Sequence, residues 1–112
     1  MTIDLTAPEY KAVRHILTSP LVEARSAPYI RESDFDWEGL LTEAETMSGG
    51  EQTLLRIAHD LWNAVPLAGI WEIPNRLDSR HFERVIEALY LYRGSASRGR
   101  SLQPLQALAD AA

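Results

Sequence analysis

The residues with the greatest chemical potential sit together at Ser48-Gly49-Gly50-Glu51. A serine and two glycines opening a helix present free backbone amides at the positive end of the helix dipole, an arrangement able to hold a phosphate. The same residues have the Ser-x-x-Glu spacing of a capping box, in which each side chain satisfies the other residue's amide. Loss of such a cap typically costs about 1 kcal/mol, so stability alone accounts for these residue types. The glycines permit a tight turn between two antiparallel helices. The capping box is the expected role.

The surrounding segment resembles the signature region of the ATP-binding cassette ATPases. "MSGGEQTLLRIAHDLWNAVPLAGIWEIPNRLDS", Met47 to Ser79, is similar to that family's order of signature helix, proline, apolar stretch, acidic site and Leu-Asp. The resemblance implies a Ser48-Gly49-Gly50 helix N-terminus that meets a γ-phosphate bound on an opposing subunit. Elsewhere the chain departs from the family. Its one lysine, Lys11, stands between Tyr10 and Ala12 with no glycine before it, so no phosphate-cradling G-x-x-x-x-G-K-[ST] loop exists. Trp71-Glu72 occupies the place of the Asp-Glu pair that serves magnesium and water. A self-sufficient nucleotide hydrolase is excluded.

Other reactive groupings are absent from the pattern. His15, His59 and His81 fall on separate expected helices, and none has a second histidine three or four residues away, so no metal motif is formed. There is no Gly-x-Ser-x-Gly elbow for a serine nucleophile. With no cysteine, disulfides, thiolate metal sites and a cysteine nucleophile are excluded. Glu32, Asp34, Asp36 and Glu38 alternate as in a calcium loop but lack its glycine and terminal bidentate glutamate, and read as a solvated acidic connector. His59 and Asp60 lie on a polar helix face, where Arg56 and Asp60 have the i, i+4 spacing of an ordinary ion pair. Accordingly no catalytic residue, metal ligand or cofactor is assigned.

The elements that carry these residues are helical, because apolar positions recur at helical rather than alternating spacing. Thr6 is the expected N-cap of a first helix, with Pro8 in its first turn, Glu9 at the capping-box position, and Tyr10, Val13, Ile16 and Leu17 inward. Residues 20 to 35 read as a connector that packs Val22, Tyr29 and Ile30. Asp36 caps a helix whose stripe is Trp37, Leu40, Leu41 and Ala44. The helix opened by Ser48 is apolar over most of its circumference, the mark of a central helix with neighbours on two sides, and Pro66 ends it. "LAGIWEIPNRLD" reads as a helical turn or irregular linker. Asp78 or Ser79 caps the last long helix, with Phe82, Val85, Ile86 and Leu89 as its buried stripe and Gly94 as its stop.

These spacings predict an all-α fold, a bundle of four principal helices near residues 7–18, 36–46, 50–65 and 79–93. The domain is expected to run from 1 to 93. Residues 94–112 follow as a Gly/Ser/Arg linker and a short amphipathic helix with Leu102, Leu105 and Leu108 at three-residue spacing. With 112 residues, the chain is long enough to bury one core without staples.

A net charge of −5, with every charged residue between Arg31 and Arg56 acidic, disfavours a general nucleic-acid binder. No apolar stretch approaches the roughly 20 residues needed to span a bilayer, and a cytoplasmic location is expected. The leading expectation is a non-enzymatic adaptor or small regulator whose partner is another protein or a second copy of itself. Trp71, Tyr90, Leu91, Tyr92, Leu105 and Leu108 are the expected contact surface, since aromatic groups are enriched at interfaces; the competing role for the aromatic helix end is packing against the C-terminal tail. Two alternatives follow from other residues. Arg93, Arg98 and Arg100 would make a weak, salt-sensitive nucleic-acid contact. Ser48, Gly49 and Gly50 would make a nucleotide-responsive accessory protein.

Overall fold

Tyr10, Ala12, Val13, Ile16 and Leu17 lie on one side of the first helix, α1 (Pro8–Leu17), and all five are buried. The computed structural model describes residues 7–94. Pro8 occupies the first helical position, where its missing amide costs nothing. The cap is Ala7, which offers no side-chain bond. The helix therefore starts one residue later than a Thr6 cap requires, and Thr6 lies outside the described residues.

A short helix α2 (Glu23–Ser26) and a 3₁₀ turn (Ala27–Tyr29) form the connector. It closes through one antiparallel bridge between Ile30 and Phe35, and among the described residues there is no strand. Val22 is buried, while Tyr29 and Ile30 pack half-buried against the core. Asp36 then caps α3 (Trp37–Ala44), its carboxylate accepting from the Gly39 amide at 3.0 Å. The longest helix is α4 (Gly49–Asn63), followed by a short α5 (Glu72–Arg76) and by α6 (Ser79–Tyr92), which Asp78 caps by accepting from the His81 amide at 2.9 Å. None of these helices is long and apolar enough to cross a membrane.

The fold is all-α. α1 packs against both α4 and α6, and α3 and α5 pack on α4. His15 near the end of α1 meets Glu87 of α6 at 2.9 Å, and Arg84 donates to the His15 carbonyl at 2.7 Å. Gly94, just past α6, lies beside Pro8 at the start of α1. The two helices are therefore antiparallel. Tyr10 and Trp62 meet edge to face at 6.4 Å, which makes α1 antiparallel to α4 as well. The start of α1 and the ends of α4 and α6 thus share one end of the molecule. There Phe35 stacks on Tyr10 at 5.1 Å and meets Trp62 at 5.0 Å and Trp37 at 5.5 Å, so the half-buried Trp37 and Trp62 form an aromatic cluster that closes α3 over α1 and α4.

Two local expectations are corrected. α4 ends at Asn63, and Ala64 turns the chain through left-handed backbone at φ 57°, two residues before Pro66. The turn is held because the Asp60 carboxylate accepts from the amides of Leu67 and Ala68, each at 2.8 Å. On α6 the buried positions are His81, Val85 and Ala88 rather than Phe82, Val85, Ile86 and Leu89. The small Ala88 lets α6 approach α1 closely, and this rotation leaves Phe82 and Leu89 on the outer side.

Candidate interaction groove

The Asp60 turn directs the apolar run after α4 outward instead of inward. Val65, Leu67, Ile70 and Trp71 are all exposed, Ile70 by 85% and Trp71 by 56%. Ile70 borders a groove of about 240 Å³ lined also by Ile57, Asp60 and Leu61 of α4, Ala68 and Gly69 of the turn, Ile73 of α5 and Leu89 of α6. Leu89 is 39% exposed, and Phe82, two turns back along the same helix face, is 37% exposed. Large apolar side chains exposed singly are ordinary, but exposed Ile70 and Leu89 facing one apolar concavity, with Trp71 beside Ile70 in the chain, form the kind of patch that marks an interaction site.

Glu72 holds the groove in shape. Its side chain is almost wholly buried, and Oε2 accepts from the Gly69 amide at 2.7 Å. Oε1 lies 2.9 Å from Arg56 Nη2 and 3.0 Å from the Thr53 hydroxyl, with Arg76 Nη1 at 3.8 Å. The Gly69 amide, then the Thr53 hydroxyl and the Arg56 guanidinium, keep this carboxyl below its ordinary pKa against the opposing effect of burial. The pairing expected between Arg56 and Asp60 does not form. Arg56 turns to Glu72, and Asp60 binds backbone amides and sits 3.1 Å from His59 Nδ1. Arg76 also lies over the Trp71 ring, 5.2 Å from its centroid, which orients the exposed indole at the groove's edge.

Of the residues expected to form the contact surface, Trp71 lies at this edge. Tyr92 is 37% exposed on the last turn of α6, while Tyr90 and Leu91 are half-buried, Leu91 against the core. Leu105 and Leu108 lie outside the described residues, as do Arg98 and Arg100. Sequence reasoning did not single out Val65, Leu67, Ile70 or Leu89 for the surface. The available signal was an apolar run, "VPLAGIW", between a helix end and a short helix, with no strand partner to bury it.

At Ser48 the capping box is complete: the Ser48 amide donates to Glu51 at 3.1 Å and the Glu51 amide to Ser48 Oγ at 3.4 Å. The Ser48 hydroxyl, and then the Ser48 amide, hold the Glu51 carboxyl below its ordinary pKa. A side chain on Gly50 would place Cβ 2.9 Å from the Arg76 carbonyl, so this glycine is required by the close approach of α5. Within the acidic stretch Asp36 caps α3, and Arg25 holds Glu43 at 2.8 Å while also donating to Thr46, whereas Glu32, Asp34, Glu38 and Glu45 are exposed. Among the described residues no three His, Asp or Glu side chains converge to hold a metal ion.

Comparison of the chain with protein-family models, curated proteins and solved structures finds no match in any of the three.

Proposed function

We propose that this protein is a non-enzymatic interaction module that docks a protein partner through the groove between α4, α5 and α6. The observation that carries this reading is an apolar concavity, lined by the exposed Ile70 and Leu89 together with Ile57, Leu61, Ala68 and Ile73, whose shape is maintained by Glu72. A monomeric domain gains nothing in stability from holding Ile70 in water. An apolar helix or strand from a partner, or the same face of a second copy, would bury it. The reading moves the contact surface from the end of α6 to its outer face, keeps Trp71, and includes the adaptor and self-association roles expected from the sequence.

Two variants test it. Ile70→Asp and Leu89→Asp alter exposed positions, so their melting temperatures should stay close to that of the parent. Light scattering on the eluting species and affinity capture from a lysate would be compared with the parent protein. Association that weakens at least tenfold in both variants supports the groove. Association unchanged in both overturns it.

A further inference from the structure

We infer that the cleft between α1 and the connector is a second binding site, for a zwitterionic α-amino acid with an apolar side chain. The site shares no residue with the groove and is independent of the proposed docking role. The cleft has a volume of about 270 Å³ and is lined by Tyr10 and Arg14 of α1 and by Ile30, Arg31 and Glu32 of the connector. Tyr10 and Arg14 are four residues apart on one helix, so they border the cleft side by side. The Tyr10 hydroxyl donates to the Arg31 carbonyl at 2.6 Å, and the Tyr10 ring stacks on Phe35. These contacts fix the connector against α1. The Arg31 amide donates to the Asp34 carbonyl at 2.8 Å, which closes the loop that carries Glu32.

The cleft is marked by charges that do not neutralise one another. Arg14 and Glu32 are exposed on its walls, and among the described residues neither lies within ion-pair distance of an opposite charge. Arg31 is held elsewhere: its Nη1 donates to the Pro28 carbonyl at 2.6 Å, and its Nη2 lies 3.6 Å from Asp36. Its guanidinium is thereby kept from Glu32, its neighbour in the chain. Two guanidinium groups and one carboxylate therefore border one concavity. A bound carboxylate would accept hydrogen bonds from the guanidinium groups, and an ammonium group on the same molecule would donate to Glu32. The half-buried Ile30 offers apolar surface to the side chain between them.

The same residues select against other ligands. A phosphate would gain from Arg14 and Arg31 but be repelled by Glu32, in a chain whose net charge is already −5. A simple carboxylate would leave Glu32 without a partner. Size points the same way. Pockets for drug-sized molecules and cofactors span about 300–1,000 Å³. A cleft of about 270 Å³ suits a single amino acid rather than a nucleotide. Because the charges are exposed, each contact contributes little, and a dissociation constant on the order of a millimolar is expected.

The test is a titration of L-leucine, to tens of millimolar, into the isotope-labelled full chain while amide resonances are followed. The expected result is saturable shifts at Arg14, Arg31 and Glu32, with Ala68 and Leu89 of the groove unmoved. Arg14 has no ion pair among the described residues to lose, so Arg14→Gln should melt with the parent and weaken leucine binding about fivefold. Glu32→Gln should weaken leucine without weakening isocaproate, the same molecule lacking its ammonium group. No saturable shift, or an Arg14→Gln effect smaller than twofold, overturns the site. Isocaproate or inorganic phosphate bound as tightly as leucine overturns the zwitterion as its ligand. The groove is tested separately, by association of the Ile70 and Leu89 variants, so neither failure can be mistaken for the other.

Discussion

Glu72 and Arg56 meet at 2.9 Å across the junction of α4 and α5, and the same carboxylate reaches the Gly69 amide through its other oxygen. One buried side chain thereby joins three segments. α5 has five residues, far below the length at which a helix is stable alone, so its position depends on such ties. The charge is tolerated because each oxygen has a hydrogen-bond donor and two guanidinium groups lie nearby. The outward presentation of Ile70 and Trp71 follows from this tie, since both lie between Gly69 and Glu72.

Replacing Glu72 by Gln keeps the volume but removes the charge and turns one acceptor into a donor facing Arg56 or the Gly69 amide. Hydrogen bonds to charged groups contribute about 1.5–3 kcal/mol, so the variant should lose about 2 kcal/mol. For a domain of this size that corresponds to a melting temperature lower by roughly 10 °C. Hydrogen exchange should quicken first at the amides of Gly69 and Ile73. A melting temperature within 2 °C of the parent, on the order of the effect of a surface change, would show that the tie is not structural.

Acid should weaken the fold in a defined direction. Glu72, Glu51, Glu43 and Asp78 all have carboxyl pKa values held below their ordinary 4.5 and 3.8, by the Gly69 amide, by Ser48, by Arg25 and by the His81 amide respectively. A carboxyl whose pKa is lower in the folded state binds fewer protons there. Its stabilisation is complete above the unfolded value and disappears as pH falls through the folded one. Denaturant midpoints should therefore be level from pH 7 to about pH 5.5 and fall below about pH 4.5. The Glu72→Gln variant should fall less steeply, and a parallel decline in both proteins would remove Glu72 from the cause.

The two adjacent glycines at the start of α4 should behave differently. Cβ at Gly49 would sit 3.6 Å from the nearest Arg76 atom, ordinary contact, whereas at Gly50 it would press on the Arg76 carbonyl. Gly49→Ala should change stability by less than about 0.5 kcal/mol. Gly50→Ala should cost about 1–3 kcal/mol, as overpacking usually does. ATP should leave the melting temperature of the parent unchanged, because Ser48 is engaged in the cap and Gly50 lies against the Arg76 carbonyl. A shift that rises with ATP concentration would revive the nucleotide-responsive reading.

The helices were legible because their signals are local. Asp36 and Ser48 each cap the helix that their position before an apolar stripe predicts, Asp78 proves to be the cap where Asp78 or Ser79 was expected, and Gly94 ends α6. The groove was not legible, because it depends on relationships distant in sequence. Glu72 competes with Asp60 for Arg56 across sixteen residues, and no spacing rule announces the winner. Ala64 adopts left-handed backbone without being glycine, so the turn that sends Leu67 and Ile70 outward carries no residue-type signature. The rotation of α6 was hidden for a similar reason. Phe82 and Leu89 make a more hydrophobic stripe than His81 and Ala88, yet proximity to α1 favours the smaller face.

That rotation can be measured by side-chain truncation. Val85 is fully buried between α6 and the rest of the core, and Val85→Ala removes two methyl groups from a packed site. At about 0.8 kcal/mol for each buried carbon, with a further contribution from the cavity left behind, the loss should be about 2 kcal/mol. Phe82 presents the larger side chain but is 37% exposed, so Phe82→Ala should cost less than its size suggests and no more than Val85→Ala. The order discriminates between two orientations of one helix. If Phe82→Ala proves the more damaging, at the 3–5 kcal/mol typical of a buried phenylalanine, the helix buries the stripe read from hydrophobicity alone. Leu89, one face with Phe82, would then turn inward with it, and the groove would lose its α6 wall.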